Sequence, residues 1–313
     1  MKKVSFVIPC YRSANTIGVV VDEIRDTMPT LPEYDYEIIL VNDCSPDNTL
    51  DVISALARSD DRIIAVDLAK NFGQHAALMS GISHSTGDFV VCLDDDGQTP
   101  ANEVGKLLAR LEQDDCDVAM ASYEHKQHSA FRNFGTKLNN RMTEIMLGKP
   151  RDLSMTSYFA IKRFVVDEML KYKNCFPYLD GLILRCTRRI RTVPVQHRAR
   201  MEGSSGYTLG KLFALWMDGF TAFSVKPLRL ASIFGALTAF AGFIYTIVII
   251  IKHFIYSDIP TGWSSTMALQ LILGGVILLV LGLVGEYIGR IYMCINAAPQ
   301  YVERSVIRRG DGE

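Results

Sequence analysis

The chain has 313 residues and a net charge of −1, so its overall electrostatics give it no pull toward nucleic acid. Its seven cysteines are scattered without a CxxC pair, which argues against a zinc ribbon or a disulfide frame and for reduced thiols. Hydrophobic residues make up 49%, and the positive mean hydropathy of +0.14 comes largely from two runs in the last third of the chain.

From the N-terminus, Met1-Lys2-Lys3 leads straight into Val4-Ser5-Phe6-Val7-Ile8 and Pro9, a run too short for the apolar core of a signal peptide. Val4–Ile8 predicts a strand. Ala14–Met28 spaces Ile17, Val20, Val21 and Ile24 as a helix and stops before Pro29. Strands at Tyr36–Val41, Arg62–Val66, Asp88–Leu93 and Asp117–Ala121 then alternate with helices at Leu50–Ala57, Gln74–His84 and Glu103–Leu111. Short apolar runs separated by helices predict an α/β fold with a mainly parallel sheet covered on both faces.

In such a sheet, ligands bind beyond the carboxyl ends of the strands. Those ends carry Pro9-Cys10-Tyr11-Arg12, Asn42-Asp43-Cys44-Ser45, Lys70-Asn71-Phe72-Gly73-Gln74, and Asp94-Asp95-Asp96 followed by Gly97. Three carboxylates at a strand exit suit a hard divalent cation, which in turn suits a diphosphate; taken alone they equally make a solvated acidic turn. With an aromatic ring for a base and Asp43 and Gln74 for hydrogen bonds to base or ribose, the set suits a nucleotide. No GxGxxG turn and no GxxxxGK[ST] loop is present, so neither a dinucleotide dehydrogenase nor a P-loop NTPase is supported.

Phe131–Leu147 is amphipathic, with Arg132, Lys137 and Arg141 among apolar residues, and Leu209–Phe223 also carries an apolar face. Both suit helices in a headgroup plane; for the first, packing on the sheet is an equal alternative. Leu230–Ile251 is 22 residues without a charge. At ~1.5 Å per residue it spans roughly 33 Å, enough for a bilayer core. Met267–Gly285 is a second run in which Gln270 is the one strongly polar residue. The pair predicts a transmembrane hairpin, with spans at about 230–251 and 267–288, joined by a link holding Tyr256, Pro260 and Trp263. Lys211, Lys226 and Arg229 precede it, and Arg290, Arg304, Arg308 and Arg309 follow it. The positive-inside rule then places both flanks in the cytoplasm, making 1–225 a cytoplasmic domain and 226–313 a hairpin with a cytoplasmic tail, a multi-pass protein of the inner membrane.

Four motifs carry a resemblance: Phe6-Val7-Ile8-Pro9-x-Tyr11, Val41-Asn42-Asp43-x-Ser45-x-Asp47, Asn71-Phe72-Gly73-Gln74 and Leu93-Asp94-x-Asp96-x-Gln98-x-Pro100. In this order they resemble the inverting GT-A glycosyltransferases of family two, which have a Rossmann-like, mainly parallel sheet. The two C-terminal runs, and Gly282-Leu283-Val284-Gly285-Glu286-Tyr287-Ile288-Gly289-Arg290-Ile291-Tyr292, narrow the resemblance. The chain looks like a polyprenyl-phosphate glycosyltransferase, the group of dolichyl-phosphate mannose synthase and its bacterial undecaprenyl-phosphate relatives. The resemblance implies transfer of a sugar, with inversion, from a nucleotide sugar (a UDP-hexose by the bacterial likeness) to polyprenyl phosphate. It also implies a homo-oligomer, a tetramer in relatives.

Residue roles follow from the same resemblance. Pro9, Tyr11, Asp43 and Gln74 would surround the base and ribose. Asp94 and Asp96 match the DxD positions that hold Mg²⁺ or Mn²⁺ against the donor diphosphate, and Asp95 takes the middle position and points elsewhere. Arg200, Ser205, Tyr207 and Lys211 match a loop that closes over phosphates, although Gly206 stands where the family often has Lys. Apart from the resemblance, the headgroup-plane reading of its amphipathic segment would bring Arg132 to the acceptor phosphate. Many relatives carry an Asp, assigned as base or acceptor orienter, where this chain has Ser157; Asp152 either substitutes for it or caps a turn. That departure leaves open a non-catalytic membrane partner that binds nucleotide sugars. A processive polysaccharide synthase is the other alternative, but its QxxRW motif is missing: Trp216 follows Leu215 and Trp263 follows Gly262.

Overall fold

The computed structural model describes residues 1–123, 144, 153, 155–196, 226–255 and 262–310. The chain forms two compact units, Met1–Leu209 with Ala297–Glu313, and Gly210–Asn296.

The first unit is built on one sheet of eight strands: β1 (Lys2–Cys10), β2 (Tyr34–Asn42), β3 (Ile63–Leu68), β4 (Phe89–Cys92), β5 (Val118–Tyr123), β6 (Phe159–Lys162), β7 (Ile190–Val195) and β8 (Glu303–Ile307). Their spatial order is β7-β5-β6-β4-β1-β2-β3-β8. Helices α1 (Ile17–Thr27), α2 (Thr49–Ser59), α3 (Gln74–His84) and α4 (Val104–Leu111) alternate with the first five strands, and α5 (Arg163–Leu170) and α6 (Leu179–Cys186) follow β6. β1 pairs in parallel with both β2 and β4, and β2 in parallel with β3. The chain therefore steps away from β1 on one side through β2 and β3, then returns to lay β4 on its other side. That reversal opens a crevice beyond the carboxyl ends of β1 and β4.

Helix cover on both faces explains the near-continuous apolar strands: Val4, Phe6, Val7 and Ile8 are all buried, whichever face they point to. Gly81 lets α3 lie close on the sheet, since a Cβ there would meet Val7 Cγ1 at 2.5 Å and Val41 Cγ2 at 2.9 Å. The buried Glu37 of β2 accepts from Ser5 Oγ at 2.6 Å and from the Thr86 N–H at 2.6 Å, and pairs with Lys3 Nζ at 2.6 Å.

The sheet departs from a purely parallel one in two places. β6 runs antiparallel between β4 and β5, and β8 runs antiparallel to β3. Residues 303–307, read from the sequence as part of a tail, thus complete the sheet. They satisfy the otherwise open edge of β3, an edge that attracts foreign strands when left bare. Glu303 accepts from Ser80 Oγ at 2.7 Å and lies 3.1 Å from His84 Nε2, and Arg304 pairs with the buried Asp67 at 3.4 Å.

The second unit contains α7 (Lys226–Ile255, 30 residues) and α8 (Trp263–Ile295, 33 residues). The expected spans at 230–251 and 267–288 lie inside these helices. Among the described residues, Leu273–Ile295 of α8 is long and apolar enough to cross a membrane, and Gly235–Tyr245 of α7 is a shorter apolar stretch. Within the longer stretch, Arg290 Nη2 pairs with Glu286 Oε1 at 2.8 Å, one turn apart, which keeps the buried guanidinium compensated.

Candidate active site

Four strand exits meet at the crevice. The exit of β4 supplies Asp94, Asp95 and Asp96, followed by Gly97 at φ 72°, a left-handed turn that glycine adopts without strain. The three carboxylates do different work. Asp94 Oδ1 accepts from Gln74 Nε2 at 3.0 Å, and its Oδ2 accepts from the Ser157 hydroxyl. Asp95 turns toward β1, where its Oδ2 accepts the Tyr11 N–H at 3.1 Å. Burial pushes the Asp95 carboxyl up and the Asp96 charge adds to this, against the pull of Ser13 and the Tyr11 N–H. Asp96 Oδ1 accepts the Gln98 N–H at 3.0 Å, closing the turn.

At the exit of β1, the ladder with β2 runs through Pro9 to Cys10, so Pro9 lies within the strand and does not end it. Tyr11 follows and is 45% exposed, a ring left open at the rim. Its neighbour Arg12 lies 5.6 Å from the ring and takes a left-handed φ of 59°, fixed by an Arg12 N–H bond to Ser45 Oγ at 2.7 Å. Ser45 in turn donates to Asp47, which also accepts from Thr49 at the start of α2.

Asp43, expected at the base and ribose, sits deeper than that role implies. It is 4% exposed, with Oδ1 accepting the Phe72 N–H at 2.7 Å and Oδ2 the Gly73 N–H at 2.9 Å. Gly73 has φ 87°, and the braced turn delivers Gln74 as the first residue of α3. Burial raises the Asp43 carboxyl, and the two backbone donors only partly offset it. Its bracing of the loop before α3 was not visible in the sequence.

Two further groups join the site: Ser157, at the position where the resemblance expects an Asp, and Tyr123, which no motif announced. Ser157 lies 63 positions from Asp94 yet donates to it. Tyr123, at the end of β5, has its phenol pushed up by burial and then by the charges of Asp94 and Asp96. Asp152, Arg132, Arg200, Ser205, Tyr207 and Lys211 lie outside the described residues.

The donor set fits a hard divalent ion. Among the described residues no three His, Cys, Asp or Glu side chains converge as a closed cage. Mg²⁺ and its analogues are characteristically held by one or two carboxylates, with substrate phosphates and water filling the remaining positions. Asp94 and Asp96 offer that number, both half-buried at the crevice, while Asp95 is spent on the β1 loop.

Residues 5–170 match the family Glycosyl transferase family 2, and residues 226–291 match the GtrB C-terminal hairpin. The undecaprenyl-phosphate 4-deoxy-4-formamido-L-arabinose transferase of Klebsiella pneumoniae is 32% identical over 312 residues, covering 99% of this chain and 95% of that protein. The transferase of the same name from Proteus mirabilis is 33% identical over 310 residues, 98% of this chain and 94% of its own. Among solved structures, glucosyl-3-phosphoglycerate synthase of Mycobacterium tuberculosis, crystallised with Mn²⁺, UDP and phosphoglyceric acid, superposes with TM-score 0.51 at 20% identity over 69% of this chain and 75% of that one. Mannosyl-3-phosphoglycerate synthase from Rubrobacter xylanophilus gives TM-score 0.50 at 19% identity, over 73% and 74%. At that identity the two structures speak to the GT-A fold alone. The sequence matches go further, because they run the length of the chain and include the hairpin: the protein belongs to glycosyl transferase family 2, among its polyprenyl-phosphate glycosyltransferases.

Proposed function

We propose that the chain moves one sugar from a uridine diphosphate sugar to the phosphate of an undecaprenyl-class lipid at the cytoplasmic membrane face. The observation that carries this reading is Asp94, fastened between Gln74 and Ser157 at the crevice of a chain that aligns end to end with undecaprenyl-phosphate sugar transferases. The sugar in those relatives' name, 4-deoxy-4-formamido-L-arabinose, is the first donor to test, followed by UDP-glucose, UDP-galactose and UDP-GlcNAc.

Tyr11 offers an exposed ring for the base and Gln74 an amide beside the Asp94 carboxylate, and we assign Pro9 and the braced Asp43 to the same nucleotide side of the site. Asp94 and Asp96 would hold Mg²⁺ or Mn²⁺, which when bound supplies positive charge for the departing diphosphate. An oxygen of the lipid phosphate attacks the anomeric carbon from the face opposite the diphosphate. The new C–O bond forms as the bond to the diphosphate breaks, the anomeric centre inverts, and the nucleoside diphosphate leaves. A phosphate monoester has a second pKa of about 6, so near pH 7 its attacking oxygen carries no proton to remove. A hydroxyl at position 157 is compatible with this chemistry: Ser157 keeps the Asp94 carboxylate oriented. On the acceptor side we assign Arg132, Arg200, Ser205, Tyr207 and Lys211 to phosphate contacts and Asp152 to acceptor orientation. We also assign α7 and α8 to a membrane hairpin with both flanks cytoplasmic, in a homo-oligomer.

The test is transfer of a radiolabelled UDP-sugar to undecaprenyl phosphate in membranes holding the full chain. Lipid-extractable label that EDTA abolishes and Mn²⁺ or Mg²⁺ restores is the expected result. Absence of such label with every donor in the panel would overturn the reading.

A further inference from the structure

A cavity of about 180 Å³ adjoins the carboxylates. Gln74 and Ser157, the two donors to Asp94, both stand in its wall, with His75, Phe159, Leu179 and Asp180 among the others. Its volume falls below the ~300 Å³ at which pockets begin to hold drug-sized ligands, so it suits a single ring and not a nucleoside. Its wall mixes flat apolar groups with a few polar ones, as a ring with both C–H faces and hydroxyls requires.

One wall residue is left incomplete. His75 Nδ1 is shut off from solvent and has no hydrogen-bond partner among the described residues. The ring packs edge-on against Tyr178, centroids 5.0 Å apart, and Tyr178 donates to Asp180 Oδ2 at 3.3 Å. Burial pushes the imidazole down to about 4, so at neutral pH it is an uncharged hydrogen-bonding group. A buried polar atom without a partner is a costly arrangement, and a small turn of the His75 ring toward a ligand in the cavity relieves it.

We infer that this cavity receives the sugar ring of the donor, and that His75 and Asp180 select neutral or amino sugars and reject acidic ones. This rests on the glycosyltransferase reading above. The sugar is bonded directly to the diphosphate, so it has to lie close to whatever Asp94 holds, and among the described residues this cavity offers an adjoining space of ring size. His75 meets a sugar hydroxyl or amide without adding charge. The Asp180 carboxylate accepts from O–H or N–H groups and, with Asp94 nearby, repels a carboxylate on the ring.

The experiment uses the full chain in detergent or membranes, wild type beside His75→Phe and Asp180→Asn. The first substitution keeps a ring against Tyr178 and removes both nitrogens; the second keeps shape and removes the charge. UDP binding with Mn²⁺ is measured by calorimetry. Transfer is measured with UDP-4-deoxy-4-formamido-L-arabinose, UDP-glucose, UDP-galactose, UDP-GlcNAc and UDP-glucuronate. The expected result is UDP affinity within about twofold of wild type, KM for the preferred neutral donor raised about tenfold or more, and UDP-glucuronate used by Asp180→Asn but not by wild type. Wild-type KM and donor ranking in both variants would sink the proposal. So would an equal loss of UDP and UDP-sugar affinity, or use of UDP-glucuronate by the wild type. A wild-type chain that neither binds UDP nor transfers any sugar instead overturns the glycosyltransferase reading itself.

Discussion

Asp94 accepts a hydrogen bond at each carboxylate oxygen, so its orientation is set before any ligand arrives. Replacing Asp94 or Asp96 with Asn should lower transfer by at least ~100-fold, the scale for losing one electrostatic contact in an active site, with folding judged intact by an unchanged melting temperature. Ser157→Ala removes a single donor to a charged group and should cost about tenfold in kcat/KM; activity equal to wild type would show that Gln74 alone holds the carboxylate. Glu37 makes a different prediction. Burial pushes its carboxyl up, but Lys3, Ser5 and the Thr86 N–H together outweigh this and leave it below its ordinary value. The unfolded chain therefore takes up the proton first on acidification. Glu37 contributes stability in full above the unfolded value of about 4.3, and that contribution disappears as pH falls through the lower folded value. In urea titrations between pH 3 and 6, Glu37→Gln should lose stability at pH 6 and show a flatter decline below about pH 4.5 than wild type.

The alternation of strands and helices through residue 123 was legible because each strand is buried on both faces, α1, α2 and α4 are each buried on one, and α3 has seven consecutive buried residues. The Gln74–His84 helix was read with the bounds it has, since Gly73 marks its start and Ser85 its end. The later elements were not. β6 is four residues long and antiparallel, and β7 alternates its buried positions around Pro194, so neither leaves the long apolar signature of a central parallel strand. β8 is short and half-exposed, and its partner β3 lies more than 200 positions away. Ending the chain after Asn296 should therefore lower the melting temperature and promote association through the bare β3 edge, seen by light scattering. Glu303→Ala, which removes the contacts to Ser80 and His84 alone, should reproduce the loss of stability in smaller degree.

Across the whole molecule, the hairpin assignment predicts that single cysteines placed at positions flanking 226 and 297 react with a membrane-impermeant reagent from the cytoplasmic side. Cysteines within 256–261 should react from the opposite side; labelling of all three regions from one face would contradict a two-span topology. The sequence by itself determined the α/β class, the apolar helices, the acidic strand exit and, through ordered motifs, the family. These depend on residues near one another in the chain, where a period or a spacing records which face is buried. The tertiary structure decided which groups meet: Ser157 on Asp94, Asp43 on the turn before α3, Tyr123 beside the carboxylates, His75 and Asp180 in the wall of one cavity, and β8 on β3. Each joins segments separated by tens or hundreds of residues. Such pairings follow from the path the backbone takes in satisfying its hydrogen bonds and filling its core, and no local pattern of residues encodes them.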